Sequence, residues 1–576
     1  MVETESGVHW RPRDWIAAAA LFATTSAVVL WQNAHAAILW DLGYVLDSAA
    51  RIAAGQIPYR DFPFAHAPLT FLIQAAIIRL TGRVYFHHVL YVAALGGAST
   101  VLTWRIALRL LRGRAAAAWS ASLLLAAPLT LLGIYCILPH PEYDCDCVFC
   151  LLAALWLLLR ADRNKASGFA AGVALIVPLF FKQNIGLPFL AAAVGAVALT
   201  LAIDHTGESG NRRALWPVLA GAAVALAAAL LALHWTVGLG NYLHWTIGFA
   251  AARRLPGLSA ILNIYRDPAL LWTLPCIAAA MGLLVVGGKK KPALAHWISI
   301  AAFALLSAPF LFALAALAIY EDADERSDAL LSLWPLLLSL AAVLAAANLL
   351  RRKPGLLAWL PLILLATIHG AFLSQQLWGS TYAIWPLFVL LAAELLAALE
   401  EFLARRSRPR WFSPAAAALV SATLLICGGF YIVSEERLSY AQLPDAPPAR
   451  SATPALAGMA TPGPFLSEFD ELLRYAEAKI PSSDGVLLLP GEEPFFFASG
   501  RAPRFPVTLF DPATLPYSPA EVAAQARAHG IRWLIVKRNL QIKEDPTPER
   551  AATLDALMAE FTLTEQLRGY DIYLRP

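Results

Sequence analysis

Long apolar runs recur along this chain and constrain its fold more than any other feature. A bilayer core of about 30 Å is crossed by a helix of about 20 apolar residues. Hydrophobic residues make up 59% of the 576 residues and charged residues only 15%, unlike a soluble globular chain. The sequence therefore predicts a polytopic α-helical membrane protein. Its thirteen predicted spans are 14–32, 85–108, 115–134, 145–160, 167–181, 185–203, 214–235, 268–287, 294–319, 329–350, 355–375, 383–403 and 412–433.

Clusters of Arg and Lys predict the orientation of these spans. The clusters fall in alternate loops, which the positive-inside rule assigns to the cytoplasm. The N-terminus is then cytoplasmic, the C-terminal region is extracytoplasmic, and the first span is an uncleaved anchor. We expect a multi-pass protein of the plasma (inner) membrane and, because the basic residues are dispersed, no nucleic-acid partner. The clusters lie at 11–13, 109–114, 160–165, 212–213, 289–291, 351–353 and 405–410.

The character of the chain changes after residue 434. The stretch "LPDAPPARSATPALAGMATPGP" is rich in Pro and Ala and has no apolar period, which is typical of a linker. Beyond it, amphipathic helices alternate with short apolar strands, as in a small layered α/β domain. The sequence thus predicts a membrane domain over 1–434, a linker over 435–464 and an extracytoplasmic α/β domain over 465–576.

The first external loop is unusually polar for so apolar a chain. It contains "ILWDLGYVLDSAARIAAGQIPYRDFPFAHAPL" (38–69), and its helical period predicts two helices at the membrane surface. Asp47 and Arg51 are four residues apart, a spacing typical of an exposed ion pair on a helix. Asp41 lies where the first of these helices should begin, so it is predicted as an N-cap. That role does not prevent its carboxylate from facing a cavity.

This loop resembles that of a known family. Asp41-x-x-Tyr44, followed by Gly55, "PYRDF" and a Pro-Leu pair that opens an apolar helix, is similar to the first extracytoplasmic loop of the glycosyltransferase C superfamily. These polytopic enzymes include lipid A aminoarabinose transferases, protein O-mannosyltransferases and oligosaccharyltransferases. Three later stretches resemble other motifs of the family: "PHPEYDCD", "GVALIVPLFFKQNIG" and "STYAIWPLFVLLAA".

The resemblance implies a glycosyl transfer, of a hexose or a pentose, from a polyprenyl-phosphate donor in the bilayer to an extracytoplasmic lipid, glycan or protein. In the family, an Asp in the position of Asp41 is the base that activates the acceptor. The leaving lipid phosphate needs no acid. Lys182 follows an apolar run too short for a full crossing, so it is predicted either to bind the donor phosphate or to snorkel to the interface. The other predicted substrate ligands are Tyr44, His66, Asp144, Asp146, His369 and Tyr382.

Three of these predictions stay open at the level of sequence. His66 stands where aminoarabinose transferases carry a lysine, and a histidine is charged only conditionally, so the donor sugar is undetermined. Asp144 and Asp146 either exploit the dipole at a helix N-terminus or form, with Glu142 or His140, an acceptor site or a metal site. Oxygen ligands of this kind suit Mg or Mn, and no other cofactor is predicted. His369 is either a packing residue or a second ligand.

Two other functions compete with the transferase. A transporter or flippase of lipid-linked saccharides would typically contain internal repeats with broken helices in matching positions, and the sequence has no such repeat. An assembly scaffold that acts through its soluble tail would not require the ionisable residues of the first loop. The sequence therefore favours an integral membrane glycosyltransferase.

Overall fold

A computed structural model gives the fold. It describes residues 10–115, 117–203, 212–254, 257–287, 292–351, 355–373, 381–404, 411–511, 515–543 and 548–576. The basic clusters predicted at 289–291 and 405–410 lie outside the described residues, as do two residues of the cluster at 351–353.

The first half of the chain is helical. Its helices are α1 (Pro12–Asn33), α2 (Leu39–Ala53), α3 (Leu69–Thr81), α4 (Tyr85–Leu111), α5 (Ala118–Ala126), α6 (Leu129–Leu132), α7 (Tyr143–Leu158), α8 (Lys165–Ile176), α9 (Gln183–Ile203), α10 (Arg212–Thr236), α11 (Leu239–Leu243), α12 (Ala250–Arg254) and α13 (Leu258–Ile261). The membrane region continues through α14 (Leu270–Gly287), α15 (Pro292–Ile319), α16 (Ala323–Leu331), α17 (Leu333–Leu350), α18 (Leu360–Ala371), α19 (Thr381–Ala404) and α20 (Phe412–Tyr431).

Within the described ranges, nine helical stretches are long and apolar enough to cross a membrane. The predicted fold class, a polytopic helical membrane protein with a small α/β domain, is confirmed, whereas the count of thirteen spans stays a prediction. The other four predicted spans correspond to shorter helical segments. Prolines explain two of the interruptions, because Pro128 separates α5 from α6 and Pro178 lies in a 3-10 turn after α8, and proline lacks the amide proton that a helix interior needs.

The predicted first loop contains two helices, as expected. The first, α2, ends at the turn of Gly55, whose φ of 100° is a conformation that favours glycine. The second, α3, ends in the same way at Gly82, with φ of 82°. The chain reverses after each helix, and α2 and α3 pack against each other.

The C-terminal region forms a four-stranded sheet with helices on it. Its strands are β3 (Gly485–Leu489), β4 (Ile531–Lys537), β5 (Thr562–Gln566) and β6 (Tyr570–Leu574), in the order β3-β4-β6-β5. Only β3 and β4 pair in parallel. Every residue of β3 is buried, as expected for a strand covered on both faces. The helices are α21 (Phe465–Lys479), α22 (Phe495–Ser499), α23 (Pro519–Ala528) and α24 (Pro548–Met558).

The segment predicted as a linker is partly structured. Strands β1 (Pro448–Arg450) and β2 (Ala460–Pro462) pair in an antiparallel ribbon. Asp470 of α21 binds this ribbon's connection, because its carboxylate accepts hydrogen bonds from the hydroxyls of Ser451 and Thr453. The Pro- and Ala-rich composition predicted irregular chain, and the contacts with α21 supply the order that local sequence does not. The predicted domain boundaries themselves stay predictions.

Candidate active site

Asp41 lies on α2, at the end of the membrane domain covered by the C-terminal region. It is half-buried, and its Oδ2 accepts a hydrogen bond of 2.7 Å from the hydroxyl of Tyr440. The prediction that Asp41 is the N-cap was wrong: Ile38 is the N-cap, and Asp41 is the third residue of the helix. The helix begins earlier because Gln541 accepts a hydrogen bond from the amide of Leu39, at 2.7 Å.

The surroundings of Asp41 tune its ionisation. Burial raises the pKa of Asp41 to about 6, although the hydrogen bond from Tyr440 lowers it. The negative charge of Asp144 raises this pKa further, and the positive charge of Lys182 lowers it. A carboxylate with a pKa near 6 is mostly ionised at pH 7 and still basic enough to take a proton.

A buried ion pair lies beside Asp41. Asp144, the second residue of α7, accepts a hydrogen bond of 3.1 Å from Lys182 Nζ. The hydroxyl of Tyr382 lies 3.4 Å from the same carboxylate oxygen. The ammonium of Lys182 also stands 3.9 Å above the ring of Tyr143. Three of the predicted substrate ligands therefore meet in one cluster, and its electrostatic effect reaches Asp41.

Lys182 is placed by a break in the helical chain. It lies between the 3-10 turn after α8 and the first residue of α9, and it is only 9% exposed. Its two polar neighbours hold adjacent segments, since Gln183 donates to the carbonyls of Ala65 and Thr246 and Asn184 donates to that of Gly370. Lys182 itself lies in the protein interior and pairs with Asp144.

His66 and Tyr44 border the same cluster. The hydroxyl of Tyr44 lies 2.7 Å from His66 Nδ1, and the His66 ring centre is 4.5 Å from that of Tyr143, over which Lys182 stands. The backbone of His66 is held by the hydroxyl of Tyr59, which donates to its carbonyl oxygen. The predicted first-loop ligands thus lie next to the ion pair, although they come from a different part of the sequence.

Asp146 is surrounded by hydroxyl groups of the protein. It is fully buried, and its two oxygens accept hydrogen bonds from the hydroxyls of Thr70, Tyr91 and Tyr135. The described part of the chain contains no group of three His, Cys, Asp or Glu side chains able to hold a metal ion. Asp144 pairs with Lys182 and Asp146 accepts from three hydroxyls, and the Mg or Mn site predicted at these two residues stays a prediction.

His369 is half-buried in α18. Its Nδ1 lies 2.8 Å from the carbonyl oxygen of Leu365, and its Nε2 lies 2.9 Å from the hydroxyl of Tyr265. The carbonyl can only accept, so Nδ1 carries the proton and Nε2 accepts from Tyr265. Both ring nitrogens therefore have partners within the membrane region, and a substrate ligand at this position stays a prediction.

Glu142 and His140 precede α7 and add buried polar groups to the site. Burial raises the pKa of Glu142 well above its usual range, and the charges of Asp144 and Asp41 raise it further. Glu142 Oε1 and both ring nitrogens of His140 lack a hydrogen-bond partner among the described residues. Buried polar atoms without partners are uncommon in proteins, and a polar molecule bound beside them would supply the missing hydrogen bonds.

Tyr440 is a site residue that the sequence did not predict, and Tyr143, over whose ring Lys182 stands, is another. Tyr440 follows the last membrane helix and is separated from Asp41 by 399 positions. No local pattern distinguishes it from other tyrosines near the membrane interface, where this residue is common.

The chain is similar to solved structures at low identity. The crystal structure of ArnT from Cupriavidus metallidurans bound to undecaprenyl phosphate is 13% identical, with 98% of each chain covered and a TM-score of 0.48. The Archaeoglobus fulgidus oligosaccharyltransferase in complex with Zn and sulfate is 12% identical, with 90% of this chain and 68% of that chain covered and a TM-score of 0.49. No protein-family model and no curated sequence matches the chain.

Proposed function

We propose that this chain is an integral membrane glycosyltransferase that moves a sugar from a polyprenyl-phosphate donor to an extracytoplasmic acceptor. The observation that carries the proposal is the position of Asp41. A half-buried carboxylate with a pKa near 6 lies beside the buried Lys182–Asp144 pair, at the end of a membrane domain. The resemblance of the first loop to the glycosyltransferase C superfamily supports the same reaction.

Asp41 is the base in this proposal. It takes the proton of an acceptor hydroxyl or amine while the acceptor attacks the anomeric carbon of the donor sugar. The bond between that carbon and the phosphate oxygen breaks, and its electron pair stays on the polyprenyl phosphate. Lys182 stabilises the charge on this phosphate, while Tyr382, Asp144, His66 and Tyr44 line the space in which donor and acceptor meet.

The proposed location is the inner membrane, with the N-terminus in the cytoplasm and the C-terminal domain outside. The dispersed basic clusters of the sequence support this orientation. The C-terminal domain contacts α2 through several hydrogen bonds, so the first loop and this domain lie on the same side of the membrane region. Donor, acceptor and base would then meet at the outer surface.

Asp41→Asn tests the proposal in the full-length protein. Asn can still accept the hydrogen bond from Tyr440, so expression and melting temperature should change little. Transfer should fall about a hundred- to ten-thousandfold, because the general base is lost. The assay follows sugar transfer from a panel of polyprenyl-phosphate donors to cell-envelope acceptors.

Asp61→Asn is the matched control in the same loop. Asp61 is held by the amide of Ile57 and by Arg60, and its variant should transfer at the wild-type rate. Retained transfer in Asp41→Asn would show that Asp41 is not the base. Movement of a lipid-linked saccharide across the membrane, with no new glycosidic bond, would favour the transporter alternative.

A further inference from the structure

The start of α2 is capped by the C-terminal domain. Gln541 Oε1 accepts a hydrogen bond of 2.7 Å from the amide of Leu39, the first residue of the helix. The same side chain donates from Nε2 to the carbonyl of Ala37, at 2.9 Å. A helix start leaves four backbone amides without partners within the helix. Here a residue 502 positions away supplies the hydrogen-bond acceptor for one of them. Asp41 lies two residues after this cap.

Gln541 is itself held rigidly. Glu492 Oε1 accepts hydrogen bonds of 2.8 Å from the amides of Gln541 and Ile542, and its other oxygen pairs with the buried Lys537. The backbone of Glu492 touches α2 directly, because a Cβ placed on Gly43 would lie 2.5 Å from its carbonyl oxygen. A glycine is required for so close an approach. The C-terminal domain is therefore packed against the helix that carries Asp41.

Tyr440 is attached to the same segment as Gln541. Its carbonyl oxygen accepts a hydrogen bond of 2.8 Å from the amide of Lys543, and Gln442 donates to the carbonyl of Gln541 at 2.6 Å. The segment 541–543 therefore fixes both the backbone start of α2 and the residue whose hydroxyl donates to Asp41. With Oδ2 held in this way, Oδ1 of Asp41 has no partner within the described residues.

We infer that Tyr440 is a positioning residue for Asp41, so that the C-terminal domain is a part of the active site. This inference rests on the proposed function, in which Asp41 is the base. Tyr440 turns Oδ1 toward the acceptor and favours the ionised form of the carboxylate. Besides Tyr440, the ionisation of Asp41 is affected by the charges of four residues: Asp144, Lys182, Glu142 and Asp511.

Tyr440→Phe in the full-length protein removes one hydroxyl and keeps the ring. Losing a hydrogen bond to the charged form should raise the pKa of Asp41 by about one unit. The acid limb of the transfer rate should then move up by about one pH unit. At pH 6 the variant should be about fivefold slower than wild type, and at pH 8 nearly equal to it. A merely structural role would slow transfer equally at all pH values.

A second measurement does not depend on activity. Carbodiimide-driven amine labelling of Asp41, followed by mass spectrometry across the pH range, reports how the carboxyl group titrates. In Tyr440→Phe the pH midpoint of labelling should rise by about one unit. Tyr475 is a half-buried tyrosine of α21, and the control variant Tyr475→Phe should leave the midpoint unchanged. An unchanged midpoint in Tyr440→Phe would overturn the inference. A shifted midpoint with no shift in the transfer profile would support Tyr440 as positioning residue and contradict Asp41 as base.

Discussion

Removing the charge of Lys182 separates its structural role from its proposed role in donor binding. Lys182 Nζ lies 3.1 Å from Asp144 Oδ2, and the two side chains are 11% and 7% exposed. At that distance the attraction is about 5 kcal/mol for an effective dielectric constant of 20. Breaking a buried pair typically costs about 3–5 kcal/mol, because the remaining charge is left unpaired. Lys182→Met should therefore lower the melting temperature by several degrees, as well as weaken donor use.

The double variant Lys182→Met, Asp144→Asn removes both charges. Its melting temperature, followed by intrinsic fluorescence in detergent, should return close to that of wild type. Its apparent affinity for the donor should stay about ten- to a hundredfold below that of wild type, because a charge-assisted contact with phosphate is still absent. Wild-type donor dependence in the double variant would refute phosphate binding by Lys182 and leave the lysine as a counter-ion of Asp144.

Arg114→Met is the matched control for a broken ion pair. Arg114 pairs with Glu394 and Glu401 at the far end of α4, about 40 Å from the end that begins at Tyr85. This variant should melt earlier than wild type without changing donor dependence. An equal loss of donor use in Arg114→Met would show that any weakening of the membrane domain produces the effect.

Two other predictions concern the first loop and the orientation of the chain. Burial raises the pKa of Asp47 to about 8, so folding favours its protonated form. The stability that protonated Asp47 contributes to the folded protein is complete below about pH 4 and is lost as the pH rises through 8. Asp47→Asn should match the wild-type melting temperature at pH 4 and exceed it at pH 9. An equal fall in the melting temperatures of the two proteins between pH 4 and pH 9 would contradict this. Reporter fusions after residue 434 should be active only outside the cytoplasm, and cytoplasmic activity would reverse the proposed orientation.

Several residues of the candidate site could be named from the sequence because they belong to recognisable local patterns. The first-loop pattern and the short run before Lys182 placed Asp41, Tyr44 and Lys182 in one proposed site. The structure brings Lys182 together with Asp144 and Tyr382 and places Asp41 within their electrostatic reach. An apolar helix interrupted by a charged residue is informative by itself, since the cost of burying that charge requires a partner or a cavity.

The remaining contacts could not be predicted because they depend on how the C-terminal domain docks. The spacing of Asp47 and Arg51 predicted an exposed ion pair, but both side chains are buried. Asp47 accepts a hydrogen bond of 2.7 Å from the amide of Phe497, and Arg51 donates to the carbonyl of Pro506. Backbone groups of a distant segment replaced the local partner. The contact between Asp41 and Tyr440 was unpredictable for the same reason.

The separation of Asp41 and Tyr440 in sequence has a consequence for synthesis of the protein. Asp41 emerges from the ribosome early, and its hydrogen-bond partner is made 399 residues later. At about 5–20 residues per second, translation takes about 20–80 s to cover that interval. During this time the membrane helices insert while α2 lacks both its cap and its tyrosine. The contacts around Asp41 are therefore completed last, when the segment 541–543 has been made and has packed against the start of α2.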